Sequence, residues 1–354
     1  MRIWLDILSP KQLLLHTSLA KAFIENGHDV LLTSRYYVQL DGLIESMFRD
    51  WEIIRVGAWG GETLEGKLKA SIERARLLLD IILKNRPDLA LSSGSIEAAR
   101  ICYGLRIPHI LISDTPHSPV NKLVAPVSEK ILTPWIISKD EWIKAGAHEK
   151  KIRYYRALDP CFWLKDFKPR RDVLDDLNLV EREYILLRPP ETKASYLRID
   201  EEGFLEAVKA LASHFKEIKL VILCRYKEQA ERSRKIAEEN VVVVDKLLPG
   251  PSIIYYSLLF VGGGGTMTQE ASLLGIPSIT IYPKDLPSAL NFLVERGLLI
   301  RCNNFDNLIH EAEEILREWD QFRERWDRAA DSLWREMEDP IKTVLDEVSS
   351  LVSS

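Results

Sequence analysis

The chain has 354 residues, 46% hydrophobic and 29% charged, an ordinary globular composition long enough for two domains with a core each. A formal net charge of -5 gives no electrostatic footing for nucleic acid, and no apolar run is long enough for a transmembrane helix. Met1 leads straight into an apolar strand, so no signal peptide is expected and the chain reads as cytoplasmic. Cys102, Cys161, Cys224 and Cys302 are scattered without a C-x-x-C pair, so four buried thiols are expected rather than a zinc or redox motif.

In chain order, a strand is expected over Arg2–Leu8, a helix over Leu13–Glu25 stopped at Asn26-Gly27-His28, and a strand over Asp29–Ser34. That opening implies a parallel pair with a right-handed crossover. A short helix from Arg35, a strand over Trp51–Val56 and a loop at Gly57–Glu62 follow. The long helix Leu64–Asn85 carries Leu68, Ile72, Ala75, Leu78, Leu79 and Ile82 at helical spacing. A strand before Ser93-Gly94-Ser95, a helix over Ile96–Leu105, a strand over Pro108–Asp114 and a last strand region from Lys130 close the first series. A charged, proline-bearing boundary lies near Trp163–Arg171.

The second series alternates in the same way from Tyr184, through strands at Lys219–Cys224 and Val241–Val244, to Leu258–Val261. A helix over Thr266–Leu274, a strand over Ser278–Tyr282, a helix over Pro287–Arg296 and a strand over Leu298–Cys302 complete it. The remainder is helical, broken at Pro340. The expected fold class is α/β, two doubly wound parallel sheets facing a cleft, with the ligand at the C-terminal ends of the strands. Residues 1–165 form the first domain, 166–318 the second, and 319–354 are helices packing back on the first. Trp319, Trp326 and Trp334 either serve that docking or are a plain core stripe.

One stretch stands out: Leu258–Val261, then Gly262 to Gly265, then Thr266-Met267-Thr268-Gln269-Glu270, ending at Leu274-Gly275-Ile276-Pro277. A glycine turn opening a helix presents free N–H groups and a positive dipole end to an anion. Thr266 and Gln269 are spaced as a capping box, and Gly275 with Pro277 marks the helix end. The bland alternative is a tight strand-to-helix turn.

This stretch resembles the nucleotide-sugar site of GT-B glycosyltransferases and of the related UDP-N-acetylglucosamine 2-epimerases. The Gly27-His28-x-Val30 step resembles the first unit of GT-B enzymes as well. More narrowly, the whole chain looks like an uncharacterised, largely archaeal family of GT-B-like proteins. The resemblance implies that Gly263, Gly264, Gly265, Thr266 and Met267 hold a diphosphate and that Glu270 binds ribose hydroxyls. It sets Arg188 against the leaving diphosphate, with Lys193 and Arg225 nearby and Thr192 and Ser195 as hydroxyl donors. Tyr282, in Tyr282-Pro283-Lys284-Asp285, and Asn291 would line the same rim. In the first domain Gly94 and Ser95 form a second small-residue turn, where the epimerases carry Gly-Asp-Thr.

For several of these residues an inert role is as natural: a strand-end Tyr, a surface Arg, an Asp capping a proline turn. Asp114 and His117, in Asp114-Thr115-Pro116-His117, are candidate general bases, as is His16 in the first helix. Gln12 stands near where some transferases carry Gly-Gly-His. The expected activity is glycosyl transfer from a nucleotide-diphosphate sugar, UDP-linked, to an unknown sugar or lipid-linked acceptor. No cofactor is implied beyond the nucleotide-sugar substrate. No metal is implied either, since no Asp-x-Asp motif occurs. A lipid-linked acceptor would bring a peripheral membrane contact through the Trp59 and Leu123 loops. Epimerisation is the second reading, weakened because Arg188-Pro189-Pro190-Glu191-Thr192 replaces a His-Arg-Arg-Glu-Asn stretch. A non-catalytic nucleotide-sugar-binding protein is the third.

Overall fold

The computed structural model describes residues 1–190, 201–236, 238–282, 285–302 and 304–352. The chain divides into two compact units, Met1–Lys165 with Glu338–Ser354, and Asp166–Met337.

The first unit holds a seven-stranded parallel sheet of β1 (Arg2–Ile7), β2 (Asp29–Tyr36), β3 (Ile53–Ala58), β4 (Leu89–Ser92), β5 (His109–Ile112), β6 (Lys130–Pro134) and β7 (Ile152–Tyr155). Their order is β3-β2-β1-β4-β5-β6-β7. The seventh strand is not foreshadowed in the sequence reading. It is an edge strand with only Ile152 and Tyr155 buried, behind Lys150-Lys151, so its apolar signal is thin. The first helix starts at Pro10 rather than Leu13. Ser9 caps it by accepting from the Gln12 N–H, and proline fits the first helical position. The long helix Leu64–Asn85 is capped by Thr63, which accepts from Gly66 N–H, and ends in Arg86 at a left-handed φ of 45°. Its Leu78 and Ile82 are buried with Trp4, Leu31, Ala98 and Cys102 between sheet and helices.

The second unit holds a six-stranded parallel sheet of β8 (Tyr184–Arg188), β9 (Lys219–Leu223), β10 (Val241–Val244), β11 (Leu259–Gly262), β12 (Ser278–Thr280) and β13 (Ile300–Arg301). Their order is β10-β9-β8-β11-β12-β13. Alternate residues feed opposite cores. Ile185, Leu187, Leu259 and Val261 lie in one cluster, and Tyr184, Leu186 and Phe260 in the other. Burial on both faces is why these strands read as unbroken apolar runs.

The tryptophan helix corrects the expected third segment. Trp319–Glu336 packs within the second unit, where the indole N–H groups of Trp319, Trp326 and Trp334 donate to the carbonyls of Leu258, Leu298 and Leu273 at 2.9–3.0 Å. Spacing of seven and eight residues keeps the three rings on one face, so they form a core stripe. Only the helix Pro340–Val352 belongs with the first unit, with Val344 and Val348 buried. There Lys130 Nζ donates to Glu347 Oε2 at 2.6 Å and to its carbonyl at 2.9 Å, and also to Ser350 Oγ. Among the described residues no helix is long and apolar enough to cross a membrane. All four cysteines are buried and free. Burial pushes the Cys161 and Cys302 thiols up to about 12, which leaves them unreactive.

Candidate functional site

In the second unit the strand order reverses between β8 and β11, the topological switch point where doubly wound sheets hold ligands. The glycine turn leaves β11 beside that point. Gly263 N–H donates to Arg188 O at 3.1 Å, tying the turn to the end of β8.

The four glycines serve two different needs, and none has a positive φ. A Cβ on Gly262 would stand 2.6 Å from the Phe260 ring and 2.7 Å from Thr268 Oγ1, and one on Gly263 would stand 2.8 Å from Pro190. Those two are glycine because the chain packs tightly there. Around Gly264 and Gly265 nothing lies within 4 Å of a Cβ, so no internal contact requires glycine. Both, with Thr266 and Met267, are half-buried.

The helix runs Thr266–Leu273 with Gly265 as its N-cap and no side-chain cap. The expected capping box is therefore absent. Thr266 is the first helical residue rather than the cap, and it is Thr268 whose hydroxyl donates to Gly264 O, at 2.6 Å. Gly275, at φ +65, takes the left-handed position after the helix. The uncapped N-terminus leaves its first N–H groups without intrahelical acceptors. Glu270, one turn in, is 2% exposed, a buried carboxylate rather than a solvated one. Its Oε2 lies 3.9 Å from where a Cβ on Gly250 would stand, against the start of the helix Gly250–Tyr255.

Around this turn, Arg188 is half-buried at the end of β8, its Nη1 donating to Leu223 O at 2.6 Å. Tyr282 follows β12, half-buried, its N–H donating to Thr280 Oγ1. Asn291 is exposed in the helix Ser288–Glu295 and donates to Glu295 at 2.7 Å. Thr192, Lys193, Ser195 and Lys284 lie outside the described residues. The sequence reading missed Gln229. Buried in a short helix, it accepts from Arg225 N–H and donates to Pro190 O, strapping the segment after β9 to the one after β8. A glutamine in a charged helix gives no signal of such a role.

The first unit has its own switch point between β1 and β4. Gln12 braces it, accepting from Leu8 N–H at 2.7 Å and donating to Ser93 O at 2.9 Å. Gly94 sits at φ +91, where a Cβ would meet Asn121 Oδ1 at 3.0 Å. Ser95 is fully buried as the N-cap of the helix Ile96–Leu105, accepting from Ala98 N–H. Ser95 is thus occupied in turn chemistry.

Asp114, beyond β5, pairs with Lys11 Nζ at 2.7 Å, and the same ammonium pairs with Asp159 at 2.7 Å. Tyr155 OH donates to Asp159 at 2.5 Å. Burial would lower the Lys11 pKa, but the two carboxylates raise it, so the ammonium stays charged. Burial and the neighbouring Asp114 charge raise the Asp159 carboxyl above its usual range despite Lys11. Lys11 and Asp159, unnoticed in the sequence, therefore set the electrostatics around Asp114. They are 103 and 45 positions from it, and no local motif links them.

His117 is exposed in the loop after Asp114. His16 is fully buried, its Nε2 3.2 Å from Ser93 Oγ, and burial pushes its pKa down to about 4. Burial of the whole ring corrects its candidacy as the base, since a base must reach the proton it removes.

A family model described as "Protein of unknown function (DUF354)" matches residues 1–352. An uncharacterised protein of Methanocaldococcus jannaschii, MJ0665, is 26% identical over 319 residues, covering 89% of this chain and 91% of its own. The structure of UDP-GlcNAc 2-epimerase from Neisseria meningitidis, bound to UDP-GlcNAc, superposes with a TM-score of 0.76 at 14% identity over 100% of both chains. The glycotransferase of kitacinnamycin superposes with a TM-score of 0.62 at 16% identity, covering 99% of this chain and 98% of that one. The fold is GT-B, two Rossmann-like units built on parallel sheets of seven and six strands.

Proposed function

The chain belongs to the DUF354 family, whose function is unknown, and from its fold and its glycine turn we propose that it is a metal-independent glycosyltransferase using a nucleoside-diphosphate sugar, UDP-linked. The observation that carries the reading is the glycine turn at the second unit's switch point, open at Gly264 and Gly265 above an uncapped helix N-terminus. Free N–H groups and the helix dipole suit a diphosphate. Glu270 would accept from two ribose hydroxyls, and Arg188 would stabilise charge on the departing diphosphate. Tyr282 and Asn291 would contact the sugar or base from the same edge.

In the transfer step the acceptor oxygen attacks the anomeric carbon as its bond to the diphosphate breaks, and the acceptor proton goes to a base. Asp114 is assigned that role. Its Oδ1 lies 2.7 Å from the Lys11 ammonium. His117 is the second candidate. Epimerisation of UDP-N-acetylglucosamine is the alternative, favoured by the Gln269-Glu270-Ala271 and Leu274-Gly275-x-Pro277 residues it shares. Binding without catalysis is the third reading.

The test is incubation with UDP-N-acetylglucosamine and other nucleotide sugars, with and without sugar or lipid acceptors, followed by mass spectrometry and proton NMR. Acceptor-dependent release of nucleoside diphosphate supports transfer. A stereoisomer formed without acceptor supports the epimerase. If no nucleotide sugar raises the melting temperature, all three readings fall.

A further inference from the structure

At the C-terminal edge of the first unit's sheet, one arginine has no hydrogen-bond or ion-pair partner among the described residues. Arg35 lies near the end of β2, one residue beyond the pair Ile7–Ser34 that aligns β2 with β1. It is half-buried, and its Nε is fully buried without a hydrogen bond. Among the described residues Arg35 makes no hydrogen bond and no ion pair, although a guanidinium carries five N–H donors. A neighbouring arginine shows the contrast. Arg74 donates to Asp6 at 2.6 and 3.0 Å and to Val56 O at 3.0 Å, all in the interior. Asp6 and Glu97 attract Arg35 but are already engaged by Arg74, which repels it. Burial, with that repulsion, lowers the Arg35 pKa. A buried donor without a partner is costly, and such groups in native proteins call for a reason.

Aromatic rings stand beside it. The Arg35 guanidinium lies 5.3 Å from the Tyr37 ring centroid. Tyr37 in turn packs on Trp59, with centroids 5.7 Å apart and planes tilted by 43°. Trp59 N–H donates to Tyr36 O at 2.9 Å, which fixes the loop after β3 against the end of β2. A planar fork of donors beside a tyrosine ring that itself packs on a tryptophan is the chemistry that takes a carboxylate or phosphate on a ring-shaped ligand.

We infer that Arg35, with the Tyr37–Trp59 pair, forms a subsite for the oxyanion of a sugar-sized acceptor, a carboxylate or a phosphate. The inference rests on the proposed reading of the first unit as the acceptor side. It narrows the acceptor from any hydroxyl compound to an acidic one.

The probes are glucuronic acid, glucose 6-phosphate and neutral glucose, titrated by saturation-transfer NMR against wild type, Arg35→Gln, Arg35→Lys and Trp59→Leu. UDP is titrated on the same preparations. Wild type is expected to prefer at least one anion over glucose by tenfold or more, and which anion identifies the oxyanion. Arg35→Gln should erase the preference and leave UDP affinity unchanged. Arg35→Lys keeps the charge without the fork and should retain part of it. No preference in wild type, or a preference that survives Arg35→Gln, overturns the inference. If Arg35→Gln does not fold, an unchanged preference in both Arg35→Lys and Trp59→Leu overturns it instead. If UDP fails to bind while an Arg35-dependent preference persists, the donor reading falls and the subsite stands.

Discussion

At the scale of single residues, the glycines of the turn divide into those that the packing requires and those that it does not. Gly263→Val would drive a branched side chain into Pro190 and should lower the melting temperature of the second unit. Gly264→Val meets no neighbour in the protein, so the fold should tolerate it. On the diphosphate reading it would block the ligand, and UDP affinity measured by calorimetry should fall at least tenfold. Equal UDP affinity in Gly264→Val and wild type would sink the assignment of the turn. Glu270→Gln, nearly isosteric in its buried setting, should likewise weaken UDP binding while leaving the melting temperature within a few degrees of wild type.

Two imidazoles give the first unit a defined acid sensitivity. His16 and His109 are fully or almost fully buried, and burial pushes each pKa from 6.5 down to about 4. His109 sits between Ser92 Oγ and Ser128 Oγ at 2.9 Å each. In the window between those values the unfolded chain binds protons that the folded one does not, so stability rises with pH there. It is complete above about pH 6.5 and is lost as pH falls toward 4, on the order of 3 kcal/mol per imidazole. Asp159, with its raised pKa, acts in the opposite sense. The clean measurement is therefore the difference between wild type and His109→Gln in melts from pH 7 to 4. The variant should show the shallower slope.

Among the elements, the strands and most helices were legible because each carries its own periodicity or cap. The unbroken apolar runs of β8, β9 and β11 are buried on both faces as they imply. What could not be read depends on partners far along the chain. Arg74 looks like one more charge on the long helix, yet it is 2% exposed and bound to Asp6 on β1. Burial would raise the Asp6 carboxyl, but the Arg74 guanidinium outweighs this and holds it below the usual range. Arg74→Met should cost about 3–5 kcal/mol, because Asp6 is left charged in the interior. The double variant with Asp6→Leu should recover much of that in denaturant titrations, and failure to recover would mean that the pair is not what holds the helix to the sheet. The glycine turn was legible in sequence since its glycines, Glu270 and Gly275 lie close together in one stretch. Lys11, Asp159, Gln229 and Arg35 were not, since each is defined by what surrounds it in space. The tryptophan helix was ambiguous for a simpler reason, since one stripe of rings fits a core of either unit.

For the whole molecule, the two units should respond separately to truncation. Removing residues 338–354 uncovers the surface under Val344 and Val348 and leaves the largely buried Lys130 ammonium without Glu347. Each lost aliphatic contact is worth about 1.5–3 kcal/mol, so the first unit should lose on the order of 5 kcal/mol. Calorimetry should show its transition shifted down or gone. The transition of the second unit, Asp166–Met337, should stay where it is. Arg153, Lys130 and Glu347 form the polar part of this contact, at 3.6 and 2.6 Å.

The same last helix fixes an order of events during synthesis. The first unit is discontinuous, with the whole second unit spliced into its chain between Lys165 and Glu338. Domains fold as units while the chain is still growing. The second unit ends at Met337, just before Pro340–Val352, so most of it is made and can begin to fold while the first unit still lacks a wall. The half that begins to be made earlier is the half that closes later, and its Lys130 side waits uncovered through the translation of more than half the protein.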